Sequence, residues 1–413
     1  MIVRVNKYFK ALFSKNNRNT KRGIWIILYA FNGLSTPIFN LILSAVIVKK
    51  ISLGFWGEFV SLSLIVTLSA FIIGWGNKDF LLREFSRVPA QIASNWQTNI
   101  FQRAILCLLA ACSFFLFINH SNYRICLLIF WIISTFLYKS LDVLILFKRL
   151  FSFSLLAETI GYAIVIGIVA IYDSKELTVD LLILILAIIT FLKFLIGLWY
   201  LRKDIFPIVF KWGKFSLKTN TLFLSIPYFL PTLAGLLQSK VDIYCVAYFL
   251  SPSEVGGYQI FMNLLTVPHS LATFIVLPFI KNIYRMPVKS VKKIIKFLTL
   301  IGFVFSLPAL IIIYFIMENY YKLHFSLSMY TYGFIMLLPF FMYTVKMNLL
   351  FKYDKQYVIV WITTLTGGIS LLASIVLIPS LNIEGGIIAK TITQWITFLL
   401  FYMYTNRYLK SHG

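Results

Sequence analysis

Lys139 and Asp142 stand three residues apart in an otherwise apolar stretch. That spacing sets both on one face of a helix, where they either pair or line a cavity together. Other ionisable groups share such surroundings: the bases Arg103, Lys193, Lys240, Lys296, Lys346 and Lys390, and the acids Glu158 and Asp242, with Glu58 near the end of a stretch. A charge inside hydrocarbon costs about 2.5–3.5 kcal/mol on insertion scales, so these groups are expected to face an interior cavity. Bases outnumber acids among them, a balance that attracts a phosphate or diphosphate and repels an organic cation. Lys139, Lys240, Lys346 and Lys193 are therefore candidate contacts for an anionic ligand. Asp242, Glu158 and Asp142 are candidates for binding a coupling proton or cation.

Each of these groups has a second reading. Lys240 and Asp242 lie two apart, so one faces a cavity while the other meets a neighbour. Aligning LILFK, which ends the fourth apolar stretch, with NLLFK, which ends the tenth, sets Asp142 opposite Lys346 as a pseudo-symmetric charge pair. The alternative for Asp142 is an ion pair with Lys139 inside one helix. Lys193 has a stem long enough to snorkel, and Arg103 and Lys390 lie within about a turn of span ends, where snorkelling places the charge in water. Glu158 either changes protonation or is held by hydrogen bonds.

No catalytic constellation accompanies these charges. His120, His269, His324 and His412 are scattered, and no phosphate-binding glycine loop, nucleophile elbow or HExxH motif occurs. Cys107, Cys112, Cys126 and Cys245 all fall in apolar stretches as expected small core residues, with neither disulfide nor metal spacing. A non-enzyme without cofactor is expected, which leaves transport.

The elements that must position the charges follow from composition. Hydrophobic residues form 60% of the 413 and charged residues 13%, against roughly a quarter charged in soluble proteins. A hydrocarbon core about 30 Å thick needs roughly 20 apolar residues per helix, and the period-2 alternation of a membrane barrel is absent. The chain is expected to be an all-α polytopic membrane protein of twelve transmembrane helices. The expected spans are Gly23–Val48, Gly54–Asn77, Ile100–Ile118, Ile125–Phe147, Phe151–Tyr172 and Leu181–Tyr200 in the first half. Leu222–Phe249, Gly256–Ile280, Ile294–Ile316, Leu327–Phe351, Gln356–Pro379 and Ile387–Tyr404 follow. The first is too long for a cleavable signal and stays as a helix.

The net charge of +24 is read from its distribution rather than as a nucleic-acid footprint. Of 38 Lys and Arg, 26 fall in the amino-terminal arm and the loops on its side, five in the opposite loops and seven within spans. Both termini are thus expected in the cytoplasm. The basic connections Lys78–Asn99, Leu201–Thr221 and Lys281–Lys293 set topology or meet anionic membrane lipids.

The sequence also repeats itself. Ile51–Phe59 (ISLGFWGEF) and Leu250–Tyr258 (LSPSEVGGY) align with a shift of 199, placing Ser52 on Ser251, Gly57 on Gly256 and Phe59 on Tyr258. Six spans per copy make a parallel repeat about an axis along the membrane normal. Two six-helix lobes follow, residues 1–206 and 207–413, with the boundary near Pro207–Lys218. Pro37, Pro227, Pro231, Pro268, Pro278, Pro308 and Pro339 interrupt spans, five of them in the first, seventh and eighth, where bending helices are expected.

The runs Leu53–Arg87 and Ser239–Arg285 resemble the repeated segments of Wzx-type polysaccharide flippases of the multidrug/oligosaccharidyl-lipid/polysaccharide (MOP) exporter superfamily. The carrying features are Gly57 with Phe59, Gly76 with Arg83 and Glu84, Asp242, and Gly256 with Tyr258; Ile383–Ala389 (IEGGIIA) is similar to the small-residue start of the family's last helix. The resemblance implies a MATE-like two-lobe fold with ion-coupled alternating access. Its cargo would be an undecaprenyl-diphosphate-linked O-antigen repeat unit, flipped to the periplasmic leaflet of a bacterial inner membrane for lipopolysaccharide biosynthesis. It adds Arg83 to the substrate contacts, and O-antigen polymerase and the chain-length regulator as partners. No basic residue stands within the first two spans, since Lys49 and Lys78 are at their ends. The lipid II flippase's two extra helices are missing, which favours an O-unit over a peptidoglycan precursor. The alternative is a MATE-like exporter of small molecules.

Overall fold

A computed structural model describes residues 18–117, 121–205, 220–276 and 288–411. Among them all regular structure is helical. The first half holds α1 (Arg18–Lys50), α2 (Leu53–Gly74), α3 (Asn77–Arg87), α4 (Ile92–Phe117), α5 (Asn122–Ser140), α6 (Asp142–Lys148), α7 (Phe151–Ile171) and α8 (Val179–Tyr200). The second holds α9 (Asn220–Phe249), α10 (Pro252–Val276), α11 (Val288–Phe315), α12 (Leu327–Lys352) and α13 (Gln356–Ser411).

Among the described residues, nine helical segments are long and apolar enough to cross a membrane, and the chain is a multi-pass membrane protein. Every expected span falls on helix, with differences. The third and eighth correspond to α4 and α10, which are not among the nine. The fourth comprises α5 and α6, which join at Leu141 with the backbone still helical (φ −79°, ψ −19°). The eleventh and twelfth lie in α13, which turns sharply at Asn382 (φ 52°, ψ −134°). The expected lobe boundary near Pro207–Lys218, Pro278, Arg285, His120, His412 and most of Lys281–Lys293 lie outside the described residues.

Helix starts are fixed by local chemistry. Ser52, Ser121, Thr178 and Ser326 each accept a hydrogen bond from the backbone N–H three residues on, capping α2, α5, α8 and α12. Ser251 precedes α10, and the Glu254 carboxylate reaches back to accept from its N–H (3.0 Å) and its hydroxyl (2.6 Å), with Pro252 in the first turn. The aligned serines of the two repeats thus both stand at helix starts.

Within the first half α1 packs on α7, α2 on α5, and α5 on α8; in the second, α9 and α12 pack on α13, and α11 on α12. The halves meet where α2 and α1 lie against α10 and where α3 lies against α9. At the first of these, Gly57 faces α10: a Cβ there would stand 1.5 Å from the Pro252 carbonyl oxygen, and one on Gly256 would stand 2.7 Å from that of Leu53. Absent side chains let the backbones touch, and Trp56 Nε1 donates to Gln259 Oε1 across the buried crossing (3.0 Å). Outward faces remain apolar, with Leu108, Leu109, Phe223, Phe303 and Met403 exposed as lipid contacts. Cys107 and Cys245 are buried, but Cys112 and Cys126 are exposed, so only two of the four cysteines are core residues.

Candidate functional site

Between α1, α5, α7 and α8 the first half forms a half-open cavity of about 330 Å³. Helical periodicity builds its walls. Trp131, Thr135, Tyr138 and Asp142 recur along the fourth span at intervals of four, three and four, while Ser154, Glu158, Gly161 and Val165 do the same on α7. Leu186, Ile189, Thr190 and Lys193 come from α8, and Asn32, Ser35 and Thr36 from α1. A second cavity of about 210 Å³, lined by Lys78, Asp79, Phe71, Gly74, Thr232 and others, shares Lys139 and Asp142 with it. Thr232 belongs to α9, so this smaller cavity lies between the halves.

Lys193 does not snorkel. Its ammonium pairs with Glu158 (2.8 Å) and lies 5.1 and 5.2 Å from the ring centres of Tyr138 and Tyr162. Gly161 makes room, because a Cβ there would meet the Lys193 stem at 3.0 Å. Lys139 and Asp142 form no ion pair among the described residues, although they share one helix face and line both cavities. Lys240, exposed on α9, is near enough to Lys139 for their charges to interact, as is Lys78. No carboxylate lies within ion-pair distance of Lys78, Lys139 or Lys240 among the described residues.

The expected excess of bases is therefore local. Lys139 and Lys193 match Asp142 and Glu158 in the larger cavity, Lys78 and Lys139 match Asp79 and Asp142 in the smaller one, and the surplus base is Lys240, beside Lys139 but outside both linings. Lys78 was missed because it stands at a span end. Gly76 was the available signal: at φ 68° it turns the chain between α2 and α3, and a Cβ there would meet Phe229 N at 2.7 Å.

The second half places its charges differently. Lys390 is 5% exposed and pairs with Asp242 (2.8 Å), also donating to the Gln238 and Ser239 carbonyls. Tyr258 donates to the other Asp242 oxygen (2.7 Å), joining α9, α10 and α13. Gly386 accommodates the Tyr258 ring, which a Cβ would meet at 3.0 Å. Asp242 thus already holds an ammonium. Lys240, two residues away, faces elsewhere, as their spacing requires. Lys346 is buried with its ammonium 3.9 Å from the Tyr402 ring centre, so no Asp142–Lys346 pair forms. Arg103 is wholly buried rather than snorkelling, and it donates to the Gly74 and Trp75 carbonyls that end α2 (2.9 and 3.3 Å). Arg83 lies on the exposed face of α3 and donates to the Tyr228 hydroxyl (2.7 Å), away from both cavities.

The sequence matches no family model and no curated protein. Solved structures are similar in fold. Lipid II flippase MurJ in an inward closed conformation aligns with a TM-score of 0.69 at 13% identity, over 92% of this chain and 87% of that one. The Vibrio cholerae MATE transporter VcmN gives 0.57 at 14% identity, over 96% and 98%. A Pyrococcus furiosus transporter of the MOP superfamily, described as having a binding pocket of reverse polarity, gives 0.53 at 12%, over 96% and 97%. The chain shares the fold of flippases and transporters of this superfamily.

Proposed function

We propose that the protein is an alternating-access flippase for an anionic lipid-linked oligosaccharide, in the manner of a twelve-helix, two-lobe transporter. The observation that carries this reading is the inter-half cavity lined by Lys78 and Lys139, whose ammonium groups have no ion-pair partner among the described residues, with the unpaired Lys240 of the second half close enough to Lys139 for their charges to interact. A diphosphate between two moving halves would satisfy charges that the protein leaves unpaired, and it would need them from both sides. The glycan occupies the aqueous space and the lipid tail stays in the bilayer. Lys193 and Lys346, already engaged by Glu158 and by aromatic rings, drop to supporting roles. Asp142, which has no ion-pair partner among the described residues, is the first proposed ion-coupling carboxylate; Glu158 and Asp242, each holding an ammonium, are the others. The similarity in fold to a lipid II flippase supports a lipid-linked cargo. The O-antigen repeat unit, the bacterial inner membrane, cytoplasmic termini and association with a polymerase and chain-length regulator belong to the same proposal.

The test is the leaflet distribution of lipid-linked repeat units in a deletion strain with the gene restored or withheld. Units trapped on the cytoplasmic leaflet and released by the gene support flipping; unchanged distribution overturns it. A small-molecule exporter is the second reading, favoured by the aromatic, charge-matched cavity formed by the first half alone. Changed drug susceptibility with unchanged leaflet distribution would select it.

A further inference from the structure

The larger cavity is set apart from the smaller one by its aromatic walls and by the ion pair within it. Its two ammonium and two carboxylate groups balance, so it has no net attraction for phosphate or for an organic cation. Trp131, Tyr138 and Tyr162 supply aromatic surface, and Asn32 and the Glu158–Lys193 pair supply acceptors and donors side by side. Its volume of about 330 Å³ lies within the roughly 300–1,000 Å³ of small-molecule sites. A pyranose ring matches this combination, because its C–H face packs on aromatic rings while its hydroxyls both donate and accept.

We infer that this cavity is a subsite for one uncharged sugar ring, adjoining the anion site through the shared wall of Lys139 and Asp142. The inference rests on the proposed function for the source of the sugar, and it divides the cargo between two chambers. Phosphate lies with Lys78, Lys139 and Lys240, and a neutral pyranose lies against Trp131 beside Glu158 and Lys193. The ion pair then acts as a specificity element: its two charges already satisfy one another, so a uronate or an aminosugar cation would be desolvated there without an unpaired counter-charge, and both are disfavoured.

The experiment uses the full chain in lipid nanodiscs with two probes, methyl glucopyranoside and pyrophosphate, observed by ligand-detected magnetisation transfer, with methyl glucuronide as the charged comparison. The expected result is transfer to the neutral glycoside that other neutral pyranosides displace, pyrophosphate does not, and the glucuronide fails to match. Trp131→Ala and the charge-matched double variant Glu158→Gln with Lys193→Met should each abolish glycoside transfer and leave pyrophosphate binding intact, which also reports that they fold. No glycoside transfer in the unaltered protein, or transfer unchanged in both variants, overturns the sugar subsite. Glycoside binding retained with no pyrophosphate binding instead overturns the anionic-cargo reading and leaves the subsite standing.

Discussion

Lys390 and Asp242, separated by 148 positions, form an ion pair of 2.8 Å with side-chain exposures of only 6% and 3%. Tyr258 on the second carboxylate oxygen completes a buried cluster that ties three helices of the second half together. Removing one partner strands a charge, and removing both does not. Asp242→Asn or Lys390→Met alone should therefore lower stability by about 3–5 kcal/mol, and the double variant should recover most of it. Thermal unfolding of the four proteins in one detergent checks this; a double variant as unstable as the two losses added would contradict it.

Lys139→Gln, Lys240→Gln and Lys78→Gln should each reduce export at least roughly tenfold, equivalent to about 1.4 kcal/mol of lost stabilisation, while membrane levels stay normal. Lys346→Met should leave protein level unchanged or raised, because it removes a buried ammonium that no carboxylate pairs among the described residues. Export and immunoblot measured on the same cells separate the two effects.

Arg103→Gln removes the donors that satisfy the last carbonyls of α2. Hydrogen bonds to a charged group are worth about 1.5–3 kcal/mol, and a loss of that order in unfolding free energy is expected. Arg83→Gln, exposed on α3, should cost less than about 0.5 kcal/mol.

Orientation is checked by labelling in a background lacking Cys107, Cys112, Cys126 and Cys245. Lys175→Cys should react with an impermeant maleimide in intact cells, and Arg87→Cys only after permeabilisation. The opposite pattern would invert the topology drawn from the basic loops.

Gly57→Ala should be more damaging than Gly256→Ala, since its Cβ would stand 1.5 Å rather than 2.7 Å from backbone oxygen. Separating α2 and α10 to admit it costs at least about 1–3 kcal/mol by the usual penalty for overpacking. Unfolding temperatures of the two variants rank them.

The helices were legible in the sequence because apolar length alone dictates a membrane span, and the starts of α2 and α10 were legible because each needs small and capping residues at the same places. The pairing of charges was not. Glu158 with Lys193 and Asp242 with Lys390 depend on how each helix is rotated against its neighbours, and packing sets that rotation rather than hydropathy. Lys390 and Arg103 read as snorkelling from position along the span, yet the partner that holds each lies on another helix. The spacing of Trp131, Thr135 and Tyr138 ahead of Asp142 did hold a readable signal, a polar and aromatic stripe on one face of a span.

The crossing of α2 and α10 gives the chain an unusual genetic property. Gly57 and Gly256 are 199 positions apart but guard one gap from opposite sides, so lesions at either should behave as alleles of a single site. Neither can rescue the other, for a glycine has no side chain left to shrink. Suppressors of such lesions should arise instead among neighbours that set the spacing of the two helices, with Trp56 and Gln259 the first places to look.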